Sequence, residues 1–245
     1  MSLLNTSAFI LGSHNIGEAD KIITFFTLKN GKVKGAANGV RKPKNRFGSS
    51  LEPFTYSNVI LFEKRKNHLY RIKQSSIIHS FQKIRDDIKK IVAASRIVNL
   101  VKLLTIEGEV DDKIFQLLLF SLSYIEKEVE YELITRIFEI KMLNYSGYRP
   151  SLDRCLKCNN DLGDRDIYLS NILGGTICSR CADNRDYNLR AISRGAVAFL
   201  NQADKMKLSI INRLKASPRI ITELKEISDF YIPHFIGRVI PDCEL

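Results

Sequence analysis

The chain has 245 residues, 44% of them hydrophobic and 27% charged, with a formal net charge of +11. That composition excludes a disordered or low-complexity chain and leaves length for two modest cores. No apolar run approaches the ~18 residues that cross a bilayer, and no basic segment followed by an apolar one opens the chain, so neither a membrane span nor a secretion signal is expected.

The charge is uneven. Residues 1–80 carry thirteen Lys and Arg against four Asp and Glu, a net +9. Residues 81–150 are neutral, residues 151–188 carry −1 and residues 189–245 carry +3. Between Asp20 and Glu52 runs a stretch with no acidic residue and eight cations, Lys21, Lys29, Lys32, Lys34, Arg41, Lys42, Lys44 and Arg46. Uncompensated cations repel one another, so such a surface calls for a polyanion. Nucleic acid fits best, because no basic amphipathic helix in this region suggests a membrane surface.

In chain order, residues 6–78 read as strands. Ala8–Leu11 is a short apolar run closed by Gly12, and Lys21–Leu28 is rich in β-branched and aromatic residues. Asn30-Gly31 signals a hairpin that returns through Ala37. A basic loop, Arg41–Ser50, leads to a fourth strand starting at Pro53-Phe54. A turn at Lys66-Asn67 leads to a fifth, His68–Gln74, with Tyr70 and Ile72 on one face and Leu69, Arg71 and Lys73 on the other. Five short strands with basic and aromatic side chains predict a small OB-fold barrel, the type that binds oligonucleotides. Its candidate phosphate contacts are Lys32, Lys34, Arg41, Lys42, Lys44, Arg46, Arg71 and Lys73. Phe47 and Tyr56 are candidates to stack bases, with a place in the core as the competing role.

The period then becomes helical. Ile84, Ile88, Ile91, Ser95, Val98 and Val101 predict one helix, Ile114–Ile125 a second and Leu133–Met142 a third, closed by Ser146-Gly147. Ser193 predicts a helix cap, and Ser217-Pro218 starts a last helix that runs to Pro233. The acidic pairs Asp86-Asp87 and Asp111-Asp112 fall at helix starts or turns, where solvation and dipole roles are the default.

Residues 151–188 hold four of the five cysteines. Cys155-x-x-Cys158 and Cys178-x-x-Cys181 are separated by 19 residues, the spacing of a four-cysteine zinc site. The competing reading, two disulfides, fits a cytoplasmic chain poorly. Four thiolates leave no open position, so one structural Zn2+ per chain is expected. Cys243 is an isolated thiol. His14, His68, His79 and His234 are scattered and no catalytic motif is present, so a non-enzymatic binding protein is expected. The fold class is α+β: a barrel domain at 1–80, a helical domain at 81–150 and 189–245, and a zinc ribbon inserted at 151–188.

These residues also resemble a known family. Phe9-Ile10-Leu11, Gly17-Glu18-Ala19-Asp20-Lys21, Phe25-Phe26-Thr27, Gly31-Lys32-Val33, Ala36–Arg41 and Leu51–Phe54 are similar to the N-terminal domain of the bacterial recombination mediator RecO family. The likeness continues through Gly147–Pro150, the four cysteines with Gly174-Gly175, and Tyr231 with His234–Gly237. It implies an N-terminal OB-fold, a helical domain and a zinc ribbon. It implies a non-enzymatic DNA repair protein that binds single- and double-stranded DNA and anneals complementary strands. With RecR, such a protein helps load RecA onto DNA coated by single-strand DNA-binding protein, whose acidic C-terminal tail it binds. That tail needs an apolar pocket with a basic rim, which the helices and cations such as Arg190, Arg194 and Arg213 are expected to supply. The implied location is the cytoplasm, at the nucleoid. Two other classes compete: an RNA- or ribosome-associated OB/zinc-ribbon module, and a metal-dependent nuclease, which the closed cysteine site disfavours.

Overall fold

A computed structural model describes residues 3–63, 69–127, 131–163, 166–182 and 188–237. They fall into two compact units that divide between residues 127 and 131, inside the stretch 81–150 that the periodicity groups as one helical part. The fold class is the expected α+β: a closed five-stranded barrel, helices, and a small sheet beside four clustered cysteines.

In the first unit, β1 (Leu3–Ile16), β2 (Asp20–Thr27), β3 (Gly31–Ala37), β4 (Tyr56–Glu63) and β5 (Leu69–His79) close a barrel in the order β1-β2-β3-β5-β4. Neighbours are antiparallel except β3 and β5, which run parallel through Lys34–Ala36 and Leu69–Arg71. This is an OB-like strand order. β1 is longer than the apolar run Ala8–Leu11 predicts. Its first half pairs with β4 and its second half with β2, and an irregularity between Ile10 and Gly12 lets one strand serve both. β5 extends past Gln74 to His79. The expected turn at Lys66-Asn67 and the strand start at His68 lie outside the described residues.

Several of these strands are apolar on both faces, and each face has a use. Ile10, Ile23, Phe25, Val33, Leu61 and Ile72 fill the barrel, and Phe47 and Leu51 join them from the loop after β3. On the outer face, Phe9 stacks on Tyr56 at 4.8 Å and meets Phe115 at 5.1 Å, while Phe26 lies 6.1 Å from Phe115. Phe115 belongs to α3 (Asp112–Lys127), so an aromatic layer joins helix to barrel. The single helix expected from Ile84 to Val101 is two, α1 (Gln82–Arg85) and α2 (Ile88–Leu104). The break is at Asp87, whose carboxylate accepts from the Lys89 amide at 2.8 Å and caps α2. Asp111 caps α3 in the same way through the Ile114 amide, 3.0 Å away.

In the second unit, α4 (Tyr131–Tyr145), α5 (Arg194–Lys205) and α6 (Pro218–Ile236) pack together. A three-stranded sheet accompanies them in the order β7 (Gly175–Cys178), β6 (Ile167–Ser170), β8 (Leu189–Ile192). Ser193 caps α5 and Ser217 caps α6, as the sequence predicts. α6 passes Pro233 and stops at Gly237, because a proline in the last turn removes one hydrogen bond without breaking the helix. The Lys141 ammonium group donates to the carbonyl oxygens of Asp204 at 2.7 Å and Met206 at 2.6 Å, closing the C-terminal end of α5. No helix among the described residues is long and apolar enough to cross a membrane.

Candidate nucleic-acid interface and metal centre

The eight candidate phosphate contacts separate into three groups. Lys32 and Lys34 lie on β3, against the segment that follows α2. The Lys32 ammonium group donates to the carbonyl oxygens of Lys102 and Thr105, and the Gly108 amide donates back to the Lys32 carbonyl at 2.9 Å. Burial lowers the Lys32 pKa, against the opposing pull of Glu107. Lys34 pairs with Glu107 at 2.6 Å, with both side chains about half exposed. A solvated pair of this kind contributes little and exchanges readily.

Arg41, Lys42 and Lys44 form the second group. All three are exposed on the loop between β3 and β4. The loop is pinned from beneath: Asp20 accepts from the Gly39 amide at 2.7 Å, and the Arg41 amide donates to the Ala19 carbonyl at 3.0 Å. Phe47 and Leu51 anchor its far end in the barrel core. The cations are thus presented outward by a loop whose backbone is held.

Arg46, Arg71 and Lys73 form the third group, which the structure brings together. They line an open groove of about 420 Å³ with Leu3, Phe62 and Ile72. The Arg46 guanidinium sits 4.7 Å from the centre of the Phe47 ring and donates to the Ile72 carbonyl at 3.0 Å. Leu3 and Phe62 are the groove residues that the sequence reading missed. Their signal is register, with Leu3 opposite Phe62 and Phe62 opposite Arg71 across three strands. Only the pairing reveals it. Of the aromatics that the sequence offers for stacking, one is buried and the other is partly buried. Phe47 is 5% exposed in the barrel core, and Tyr56 is stacked on Phe9.

The cysteines form a second centre, in the other unit. One CxxC pair is on the turn before β6 and the other begins at the end of β7, so the sheet brings both together. The four sulfur atoms all lie within 4.8 Å of one another, with Cys158 and Cys178 3.9 Å apart, and none is bridged. A tetrahedral ion with metal–sulfur bonds of ~2.3 Å places its ligand sulfurs ~3.8 Å apart, so the cage fits a divalent ion. Burial raises the pKa of the Cys155 thiol. Hydrogen bonds from the backbone of Cys158, Cys178 and Lys157 and from the Cys158 thiol outweigh that and bring it to about 6. Hydrogen bonding to Cys158, then burial, holds the Cys181 thiol up at about 12. A bound cation favours the thiolate form of its ligands. Cys243 lies outside the described residues.

A third feature lies between α4, α5 and α6, a small apolar pocket lined by Ile140, Leu143, Pro150, Leu152, Leu200 and Tyr231. Arg149 stands at its edge, paired with Asp204 at 3.1 Å. Of the cations expected to form a basic rim, Arg190 is paired with Glu226 and Arg194 donates to the Gly163 carbonyl.

Comparison with known proteins addresses the whole chain. The family model described as Recombination protein O N terminal matches residues 1–81, and that described as Recombination protein O C terminal matches residues 85–241. The chain is 32% identical over 233 residues to the DNA repair protein RecO of Acetivibrio thermocellus, covering 95% of this chain and 91% of the relative. It is 31% identical over 238 residues to the protein of the same name from Alkaliphilus metalliredigens, covering 97% and 95%. For Desulforamulus reducens the identity is 30% over 244 residues, covering 100% and 94%.

Proposed function

The chain belongs to the recombination protein O family of DNA repair proteins, and from that premise we propose that it is a non-enzymatic recombination mediator. It binds single- and double-stranded DNA, anneals complementary single strands and, with RecR, helps load RecA onto DNA coated by single-strand DNA-binding protein. It works in the cytoplasm, at the nucleoid.

The observation that carries the reading is the exposed run Arg41, Lys42 and Lys44, held out on a pinned loop of an OB-like barrel. Each phosphate these cations neutralise releases condensed counterions, so two mutually repelling strands can be held side by side. Such contacts do not depend on base identity, which annealing of arbitrary sequences requires.

Cys155, Cys158, Cys178 and Cys181 hold one zinc ion. Zinc supplies no reaction here; with four thiolates it has no open position, and its role is to fix the turns around β6 and β7. The acidic C-terminal tail of single-strand DNA-binding protein docks in the pocket between α4, α5 and α6. The apolar wall takes an aromatic side chain, and Arg149 supplies the cation.

The deciding experiment is annealing of complementary oligonucleotides by the full chain, with and without single-strand DNA-binding protein. Annealing that is accelerated, and that survives coating of the strands, supports the reading. No acceleration with DNA, together with tighter binding of an RNA competitor, moves the chain to an RNA-binding role. Titration of a fluorescent acidic tail peptide against the full chain and Arg149→Ala tests the pocket.

A further inference from the structure

The groove where β4 ends and β5 begins combines two properties found separately elsewhere on the barrel. It has cations, and it has an outward-facing apolar surface. Strand pairing places Leu3, Phe62 and Arg71 in one row across β1, β4 and β5. Side chains alternate between the two faces of a strand. The next row, Leu61 and Ile72, is fully buried in the barrel, so the row of Phe62 faces outward. Leu3 is 57% exposed and Phe62 is half-buried. Lys73 is the extra residue of a bulge, since Ile60 pairs with Gln74 and Leu61 with Ile72. A bulge of this kind re-aims a side chain. Arg71 and Lys73 are exposed, and Arg46 is fixed over Phe47 at the groove's edge.

From this juxtaposition we infer that the groove is a seat for an unpaired nucleotide of single-stranded DNA, with the base against Phe62 and Leu3 and the flanking phosphates on Arg46, Arg71 and Lys73. The inference rests on the DNA-binding reading above and adds a division of labour to it. The loop cations Arg41, Lys42 and Lys44 meet phosphate in any form of DNA. The groove discriminates, because only a base that has left its partner offers a free ring face. Charge selects the occupant: three cations around an apolar floor suit a polyanion that carries flat apolar rings. A duplex presents the same phosphates with its bases stacked away. A mediator that holds strands before they pair gains from such a seat, because it releases each base when the duplex forms.

The test uses the full chain, and retained duplex affinity shows that each variant is folded. Wild-type affinity is measured for oligo(dT) and for an abasic oligonucleotide of equal length and charge. Removing the bases should weaken binding roughly 5-fold to 150-fold, the range expected for a stacked base. In Phe62→Ala that base dependence should shrink at least about 5-fold, with duplex affinity unchanged. The chain contains no tryptophan, so Phe62→Trp supplies a single reporter in the groove. Its fluorescence should be quenched by oligo(dT) and left unchanged by the abasic strand. Base dependence that persists in Phe62→Ala overturns the seat and leaves DNA binding standing. A wild-type chain that binds no DNA overturns both. Full quenching by a polyglutamate peptide assigns the groove to an acidic protein segment and overturns the nucleotide.

Discussion

The ammonium group of Lys32, on β3, lies 2.6 Å from the main-chain oxygen of Lys102, in the last turn of α2. A cation in that place satisfies carbonyls that the helix leaves without partners and opposes the negative end of its dipole. Lys141 does the same for α5 in the other unit. Two lysines therefore act inside the fold, each fixing a helix end, and one of them, Lys32, is a charge that sequence alone reads as a phosphate contact.

Lys32→Met should lower stability by about 1–2 kcal/mol, from the lost charged hydrogen bonds and helix-end interaction. Single-strand affinity and its salt dependence should not change. Denaturant titration beside a DNA titration at two salt concentrations checks both halves. A loss of affinity as large as that of a loop variant would return Lys32 to the phosphate contacts.

Replacing Arg41, Lys42 and Lys44 together with Ala should do the opposite. The thermal midpoint should hold, because none of the three side chains is buried. The slope of log affinity against log salt should flatten by roughly 0.7 per lost contact on single strands, alike for all sequences. An unchanged slope would place the electrostatic footprint elsewhere.

Elemental analysis of the purified chain should find one zinc ion. Cys178→Ser removes one of four ligands from a site whose binding free energy is on the order of 10 kcal/mol in small zinc modules. Amide exchange should then accelerate in residues 151–182 and stay unchanged in the barrel. A metal-free chain with bridged cysteines would disprove the site.

Tyr231 gives a pH dependence with a definite sign. Burial pushes its phenol up to about 12 from an ordinary 10. The folded state therefore holds a proton that the unfolded state releases, and stability falls as pH rises between those values. The stabilising effect is fully present below pH 10, and the loss approaches about 2–3 kcal/mol near pH 12. Tyr231→Phe should remove this part of the decline, measured as the difference between the two proteins' denaturation midpoints at pH 9 and pH 11.

What the sequence by itself determines is whatever local chemistry encodes. The double CxxC is a spacing of residue types, so all four cysteines are readable from the sequence as one site. Ser193 and Ser217 cap the helices they precede because a cap is a contact across three residues. The hairpin at Asn30-Gly31 holds because its glycine must adopt positive φ, +58° here; an added Cβ would lie 1.8 Å from the Glu109 carbonyl. The break at Asp87 was also legible as a capping residue, but the continuous apolar period across it concealed the break.

Only the tertiary structure decides which charges are free. Lys32 and Lys42 look alike in sequence, yet one meets a helix end 70 residues away and the other meets solvent. The same holds for the aromatics: Phe47 follows Arg46 and Phe62 lies two residues before Lys64, and barrel closure turns the first inward and leaves the second on the outer row. A lysine or a phenylalanine takes its role from whatever long-range neighbour excludes water from it. That neighbour is fixed by strand register and helix packing, which no local pattern in the chain contains.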